Sequence, residues 1–204
     1  MLPSLNTLSE QQPSQTKNTE AAITHFLDYA ATNPSAIVQY KASNVILQID
    51  SDASYLSEPM ARSRTGGHYY LSSLPTDPKK PPNLLPPANG PIRTECRILK
   101  HVVASAAKAE VGGMFHNGQT AVPLIITLHE LGFTRPPTPI KTDNSAAEGI
   151  VTATVRQKRY KAMDMQFYWM KYRVKQKYFF VHWRPGSQNM GDYFTKHRPP
   201  HHHR

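Results

Sequence analysis

Fourteen carboxylates are spread over the 204 residues of this chain. Four of them, Asp52, Glu110, Asp143 and Asp192, fall where an apolar strand or a small-residue helix is expected to meet a loop. Their contexts read IDSDAS, AKAEVGG, IKTDNSAA and NMGDYFTK. Acids so sparse and so placed constrain the fold, because only an arrangement that brings the ends of several elements to one edge can gather them. Converging carboxylates are what hard divalent cations require, since such ions prefer oxygen ligands and a pair of them sits about 4 Å apart.

The order of elements supports such a gathering. Residues 18–32 carry apolar positions at helical spacing, and breaker residues follow in TNPSA. IVQY and NVILQID read as strands, the second delivering Asp50 and Asp52 to its end. RSRTGG then serves as a connecting turn, and HYYLSS as the antiparallel partner. Residues 74–91 hold many prolines without periodicity, which makes an insertion at the surface. ECRILKHVVAS reads as a third strand that runs into ASAAKAEVGGMF, where alanine favours helix and places Glu110 against the sheet. A separate helix over 119–131 is expected, with Pro123 in its first turns and Gly132 as its stop. PPTPIKTD forms a short strand that ends at Asp143. Helices open at Asn144 and Met163, KYFFVHWRPG is the last strand, and a terminal helix from about Ser187 carries Asp192. A mixed sheet with helices on its faces follows, the α/β arrangement.

Composition narrows the setting. With 39% hydrophobic residues the chain buries a core, while eighteen prolines require irregular segments. A single cysteine, Cys96, excludes an internal disulfide framework and is expected as a small buried hydrophobe. No apolar run reaches the roughly 20 residues needed to span a bilayer, and the first residues lack an apolar core suited to secretion. The expectation is an intracellular protein with no membrane partner, cytoplasmic or nuclear. The net charge of +10 is concentrated, since twelve Lys or Arg and two acids lie between Arg156 and Arg204. Such a stretch suits a polyanion, because cationic side chains neutralise phosphates and release counterions. Aromatic residues interleaved with this charge, in FYWMKYRVKQKYFFVHW, have the spacing of a helix face followed by a strand, and most are assigned to core.

The ordered set SDAS, RSRTGG, AKAE, KTDNSAA and DYFTKH, running from about Asn44 to His197, resembles the ribonuclease H domain that ends the Pol polyprotein of copia-type (LTR) retrotransposons. Members of that family typically read close to SSxEAE where this chain has SAAKAE, so Glu110 matches the family's catalytic glutamate while Lys108 replaces the preceding one. The resemblance implies an α/β ribonuclease H-like fold with a five-stranded mixed sheet flanked by helices. It also implies that Asp52, Glu110, Asp143 and Asp192 converge to hold two Mg²⁺ ions, with Mn²⁺ as the substitute, and to hydrolyse the RNA strand of RNA–DNA hybrids during reverse transcription. Asp52 is then the bridging ligand. A polymerase domain is expected upstream in the polyprotein. The division implied is a connecting segment with one helix over residues 1–40, the ribonuclease H-like domain over 41–197, and a basic, histidine-rich tail over 198–204. Hybrid duplexes are read through 2′-hydroxyls and groove shape, and Arg62, Arg64, Arg156, Lys158, Arg159 and Lys161 are the candidates for backbone contact.

Each residue also has a plainer reading. Asp143 with Asn144 and Ser145 makes a helix N-cap cluster; Glu110 fits an exposed helix face, and Asp192 a terminal cap. Asp50 shares a strand face with Asp52 and competes for the first ligand position. Asp164 suits an i,i+4 helix pair. His182 is expected to be packed within its strand, so no catalytic histidine is assigned, and the terminal histidines 201–203 are assigned no role. The competing reading of the whole is an inactive retrotransposon-derived remnant that binds nucleic acid without cutting it; an integrase or resolvase of the same superfold fits less well, since its acid pattern differs.

Overall fold

The computed structural model describes residues 1–73, 86–133, 136–152 and 164–198. Five strands, β1 (Ile46–Glu58), β2 (Arg62–Ser72), β3 (Pro91–Ile98), β4 (Thr138–Thr142) and β5 (Phe179–Trp183), form one sheet in the order β3-β2-β1-β4-β5. The first three pair antiparallel, and β4 and β5 join β1 in parallel. Among the described residues five α-helices accompany them: α1 (Leu2–Glu10), α2 (Lys17–Thr32), α3 (Ala106–Glu130), α4 (Ser145–Val151) and α5 (Asp164–Lys175). The five-stranded mixed sheet flanked by helices is therefore as expected.

Strand alternation divides the sheet into two chemically distinct faces. On one face Leu47 and Ile49 of β1, Ile140 of β4, and Phe179 and Val181 of β5 pack against α3, α4 and α5, whose Ala109, Met114, Ile125, Ala147 and Met170 complete the core. On the other face Gln48, Asp50 and Asp52 of β1, His68 of β2 and Lys141 of β4 are all buried. Two 3₁₀ turns, Gly186–Gln188 and Met190–Phe194, lie over this polar face.

The RTGG motif is strand, not turn. RSRTGG belongs to β2, and the chain reverses through the 3₁₀ turn Pro59–Ala61, where Met60 and Ala61 take positive φ. Two adjacent glycines weaken a strand unless a close approach requires them. Here each face has its reason. A Cβ on Gly67 would lie 2.5 Å from Asn117 Oδ1 of α3, and one on Gly66 would lie 2.7 Å from the Gly191 carbonyl. The pair lets α3 and the C-terminal turn press on opposite faces of one point in the sheet. Asn117 then donates to Ser51 Oγ and to the Gly66 carbonyl, both at 2.9 Å, and accepts from the Tyr69 hydroxyl at 2.9 Å.

Other expectations changed for identifiable reasons. β1 continues past Asp52 to Glu58, because β2 keeps pairing with it. The helices expected on either side of residue 119 are one helix, α3, with Pro123 inside it. Proline removes one backbone donor and leaves the carbonyl four residues earlier free; both Pro123 and Gln119 lie on the exposed face, where water serves instead. IVQY forms no strand, and Ile37 and Val38 are exposed. The terminal helix is the pair of 3₁₀ turns. Residues 74–85 of the proline-rich insertion lie outside the described residues, as do 153–163 and 199–204.

The first forty residues hold two helices where one was expected, and α1 is locked to the sheet by Arg64. This guanidinium is fully buried. Its Nε donates to Glu58 Oε1 at 2.6 Å, Nη1 to Asn6 Oδ1 at 2.6 Å and Cys96 Sγ at 3.2 Å, and Nη2 to Thr7 Oγ1 at 3.0 Å. Cys96 is thus half-buried and hydrogen-bonded, not a plain hydrophobe. Removing one partner of a buried ion pair costs about 3–5 kcal/mol, so Arg64→Ala is expected to lose that order of stability in urea denaturation. Arg64→Lys should recover only part of it, since an ammonium cannot reproduce the planar fork of donors.

Candidate active site

β1 and β4 run parallel with Ile49 opposite Ile140 and Asp50 opposite Lys141. In open α/β sheets the crevice beyond the C-terminal ends of parallel strands is where sites form. Asp52 lies two residues past the β1–β4 pairing, and Asp143 is the first residue after β4. α3, crossing the core face of the sheet, brings Glu110 to the same edge. Carboxylate oxygens of Asp52, Glu110 and Asp143 lie within 4.8 Å of one another.

Each acid is fixed by its own neighbours. Glu110 is buried, and Oε1 accepts the Ala53 backbone N–H at 2.9 Å while Oε2 accepts the Thr142 hydroxyl at 3.1 Å. It thereby bridges β1 and β4 and is not an exposed helix residue. Asp52, also buried, accepts the Thr195 hydroxyl through Oδ2. Asn144, not Asp143, caps α4, with its side chain accepting the Ala147 N–H at 3.0 Å. The Trp183 indole N–H donates to the Asp143 carbonyl at 2.8 Å and holds the backbone at this corner.

Asp192 stands beside this trio and differs from it. Its Oδ1 is held by the Lys196 ammonium and its Oδ2 by the Arg198 guanidinium. It does not cap its turn; Asn189 does, accepting the Gly191 N–H at 3.1 Å and donating to the Ser51 carbonyl at 2.8 Å. Asp50, the rival of Asp52, is committed elsewhere. Lys141 approaches it to 2.8 Å, and Asp50 Oδ2 also accepts the Met190 N–H at 3.1 Å. With both groups buried, this is a structural ion pair, and Asp52 is the acid left to face Glu110.

The electrostatics follow from this crowding. Burial pushes the Asp52 carboxyl up to about 6, with repulsion from Asp143 and Asp192 adding to it and the Thr195 hydrogen bond and Lys196 charge opposing it. Burial, then the nearby Asp52 charge, raises Glu110 well above the usual carboxylate range. Burial also works to raise Asp192, but the bonds from Lys196 and Arg198 outweigh it and hold this carboxyl below its usual value. Buried carboxylates that repel one another are a ready place for a cation. Three anionic oxygen donors suit a hard divalent ion, not a soft one.

No protein-family model matches the sequence, and no curated protein matches it. Solved structures do resemble the fold. LC11-RNase H1, isolated from compost by a metagenomic approach, superposes with a TM-score of 0.51 at 10% identity, over 73% of this chain and 91% of its own. The fold is that of ribonuclease H. The N-terminal RNase H domain of rv2228c from Mycobacterium tuberculosis gives a TM-score of 0.49 at 12% identity, covering 74% of this chain and 91% of that one. RNase H1 from Halobacterium salinarum gives 0.44 at 14% identity, covering 72% and 92%. At such identities the likeness is one of fold, and the chemistry rests on the side chains of this chain.

Of the remaining sequence candidates, Arg64 is corrected. Its guanidinium is sealed between β2 and α1 and presents no charge to a nucleic acid. Arg62 is half-buried, with Nη2 near Met60 Sδ at 3.8 Å. Arg156, Lys158, Arg159 and Lys161 fall outside the described residues, as does the side chain of Asp164. His182 is half-buried in β5 and stacked on Phe180, with centroids 5.5 Å apart. Sequence reasoning passed over Thr142, Lys141, Thr195 and Lys196, although all four sit inside the quoted KTDNSAA and DYFTKH motifs beside the acids.

A carboxyl whose folded value is raised favours the folded state while protonated. That contribution is complete below the ordinary aspartate value of 3.8 and is lost as pH climbs through about 6. In chelator-treated protein, Asp52→Asn is therefore expected to gain melting temperature relative to the unaltered chain as pH rises from about 4 to above 6. A pH-independent difference between the two chains would contradict this placement of Asp52.

Proposed function

We propose that this chain is a divalent-metal-dependent ribonuclease H that hydrolyses the RNA strand of RNA–DNA hybrids. It would be the domain that ends a copia-type retrotransposon Pol polyprotein, acting in reverse transcription alongside an upstream polymerase domain. The observation that carries the reading is the convergence of Asp52, Glu110 and Asp143 at the C-terminal edge of a ribonuclease H sheet. The motif order SDAS, AKAE, KTDNSAA and DYFTK supports the retrotransposon assignment.

Asp52, Glu110 and Asp143 would hold the ion, Mg²⁺ in the cell or Mn²⁺ in its place. When bound, such a cation supplies electrostatic stabilisation for the negative charge that builds on phosphate oxygens as a phosphodiester is cut. The chain's own residues prepare that chemistry. Ala53 and Thr142 keep Glu110 from turning away, and Thr195 orients Asp52. The fixed geometry limits reorganisation when substrate arrives. The half-buried Asp143 gives the edge its opening toward solvent. Basic residues concentrated in the C-terminal quarter would meet the phosphate backbone, giving affinity that falls with salt.

The test is cleavage of an end-labelled RNA–DNA hybrid in Mg²⁺ or Mn²⁺. Cutting confined to the RNA strand is expected, with Asp143→Asn slower by roughly a hundredfold or more, the scale of losing one transition-state electrostatic contact. Intact RNA after incubation, with salt-sensitive hybrid binding retained, would instead identify the nucleic-acid-binding remnant.

A further inference from the structure

The corner at the end of β5, Trp183 to Gly186, encloses Asp143 from two sides. β4 and β5 end together, with Thr142 opposite Trp183. The Arg184 N–H donates to the Thr142 carbonyl at 2.9 Å, and one residue further on the Trp183 indole N–H donates to the Asp143 carbonyl at 2.8 Å. The peptide units before and after the Asp143 Cα are thus both tied to the end of β5, which fixes the direction in which its side chain leaves the main chain. Trp183 is 41% exposed, so a large part of its ring gains nothing from core burial, while its N–H is committed to Asp143. Pro185 then turns the chain, and Gly186 arrives beside the carboxylate. A Cβ on Gly186 would stand 2.9 Å from Asp143 Oδ2, and its next nearest heavy atoms, at 3.8 and 3.9 Å, would be Asp143 Cγ and Cβ. Gly186 has no positive φ, so the requirement for glycine is one of space and not of backbone conformation.

Resting on the hybrid-nuclease reading, we infer that this corner positions Asp143 within the cation site: Trp183 sets its main chain, and Gly186 leaves the space its carboxylate needs to face Asp52 and Glu110. The three acids are then oriented by different means. Glu110 and Asp52 are held through hydrogen bonds to their carboxylates, whereas β5 acts on Asp143 through its peptide units and through close steric contact. Trp183 is a positioning residue in this scheme, since it reaches the cation through Asp143. Groups that orient a metal-ligating side chain without touching the metal tune its affinity strongly. Gly186→Ala separates this effect from charge, because it turns the Asp143 carboxylate and leaves every acid of the site in place.

The experiment measures Mn²⁺ affinity by calorimetric titration without substrate, then kcat and KM on the hybrid at saturating Mn²⁺, with each variant checked by circular dichroism at the assay temperature. Gly186→Ala is expected to weaken Mn²⁺ binding by roughly 10–100-fold and to lower kcat by a similar factor, with KM for the hybrid unchanged. Trp183→Phe, which keeps a ring and loses the N–H, should move the same two quantities in the same direction. Phe180→Leu, at a residue of β5 that is 54% exposed, should move neither. Gly186→Ala, whose new methyl meets Asp143 first, reads the proposal even if Trp183→Phe does not fold. A lowered melting temperature with unaltered Mn²⁺ affinity of the folded variant marks a purely structural corner and overturns the assignment, while hybrid cleavage keeps its own assay. Neither Mn²⁺ binding nor cutting by the unaltered chain overturns the nuclease reading and the assignment with it.

Discussion

The ion pair between Asp50 and Lys141 is the constraint on which the rest of this structure depends. It joins β1 to β4 where the sheet turns from antiparallel to parallel, and it does so in a buried layer. Two charges taken out of water are stabilising only when their remaining hydrogen-bonding capacity is met. Here it is met by the C-terminal segment, since Lys141 also donates to the Gln188 carbonyl at 2.9 Å and Asp50 accepts the Met190 N–H. The same pair therefore aligns two strands and pins the turn that carries Asp192, Thr195 and Lys196. A hydrophobic pair in this place could have held the strands together, but it would have given the 3₁₀ turns no polar anchor.

From that anchor the site is a consequence of geometry. With the parallel pairing ending at Asp50 and Lys141, Asp52 and Asp143 both emerge just beyond it. Glu110 completes the trio from the opposite face of the sheet and doubles as a tie between β1 and β4. The glycines of RTGG make this possible, since α3 and the C-terminal turn must both come close to β2 at the same level. Burial raises Asp52, whereas at Asp192 the bonds from Lys196 and Arg198 outweigh burial, so two neighbouring acids are pushed in opposite directions. The polar face of the sheet thus supplies the charges, and the apolar face the rigidity that keeps them apart.

Much of this was legible before the structure. The strands of the sheet and the helix carrying Glu110 follow from alternation and small-residue runs, with IVQY read as one strand too many, while the five-stranded count and the meeting of the acids came from the resemblance of the ordered motifs to a known family. What could not be read was decided by contacts between distant residues. RTGG looks like a turn because glycine pairs usually are, and only Asn117 and Gly191, pressing from two faces, make it a strand. Pro123 looks like a helix start because its tolerance inside α3 depends on which face meets water. Arg64 looks like a surface cation because nothing nearby in sequence shows α1 folding back to seal it. Asp50 and Asp52 are equivalent by alternation, and Lys141, ninety-one residues away from Asp50, separates their roles.

The central claim is that Asp52, Glu110 and Asp143 gather at one edge of the sheet to form a cation site. Crystals grown or soaked in Mn²⁺, with data collected for anomalous scattering, test it most directly. The account predicts a strong anomalous peak at the active-site edge, with ligand oxygens from those three carboxylates at about 2.0–2.3 Å. A peak ligated by Asp50, or no peak among the three acids, would contradict it.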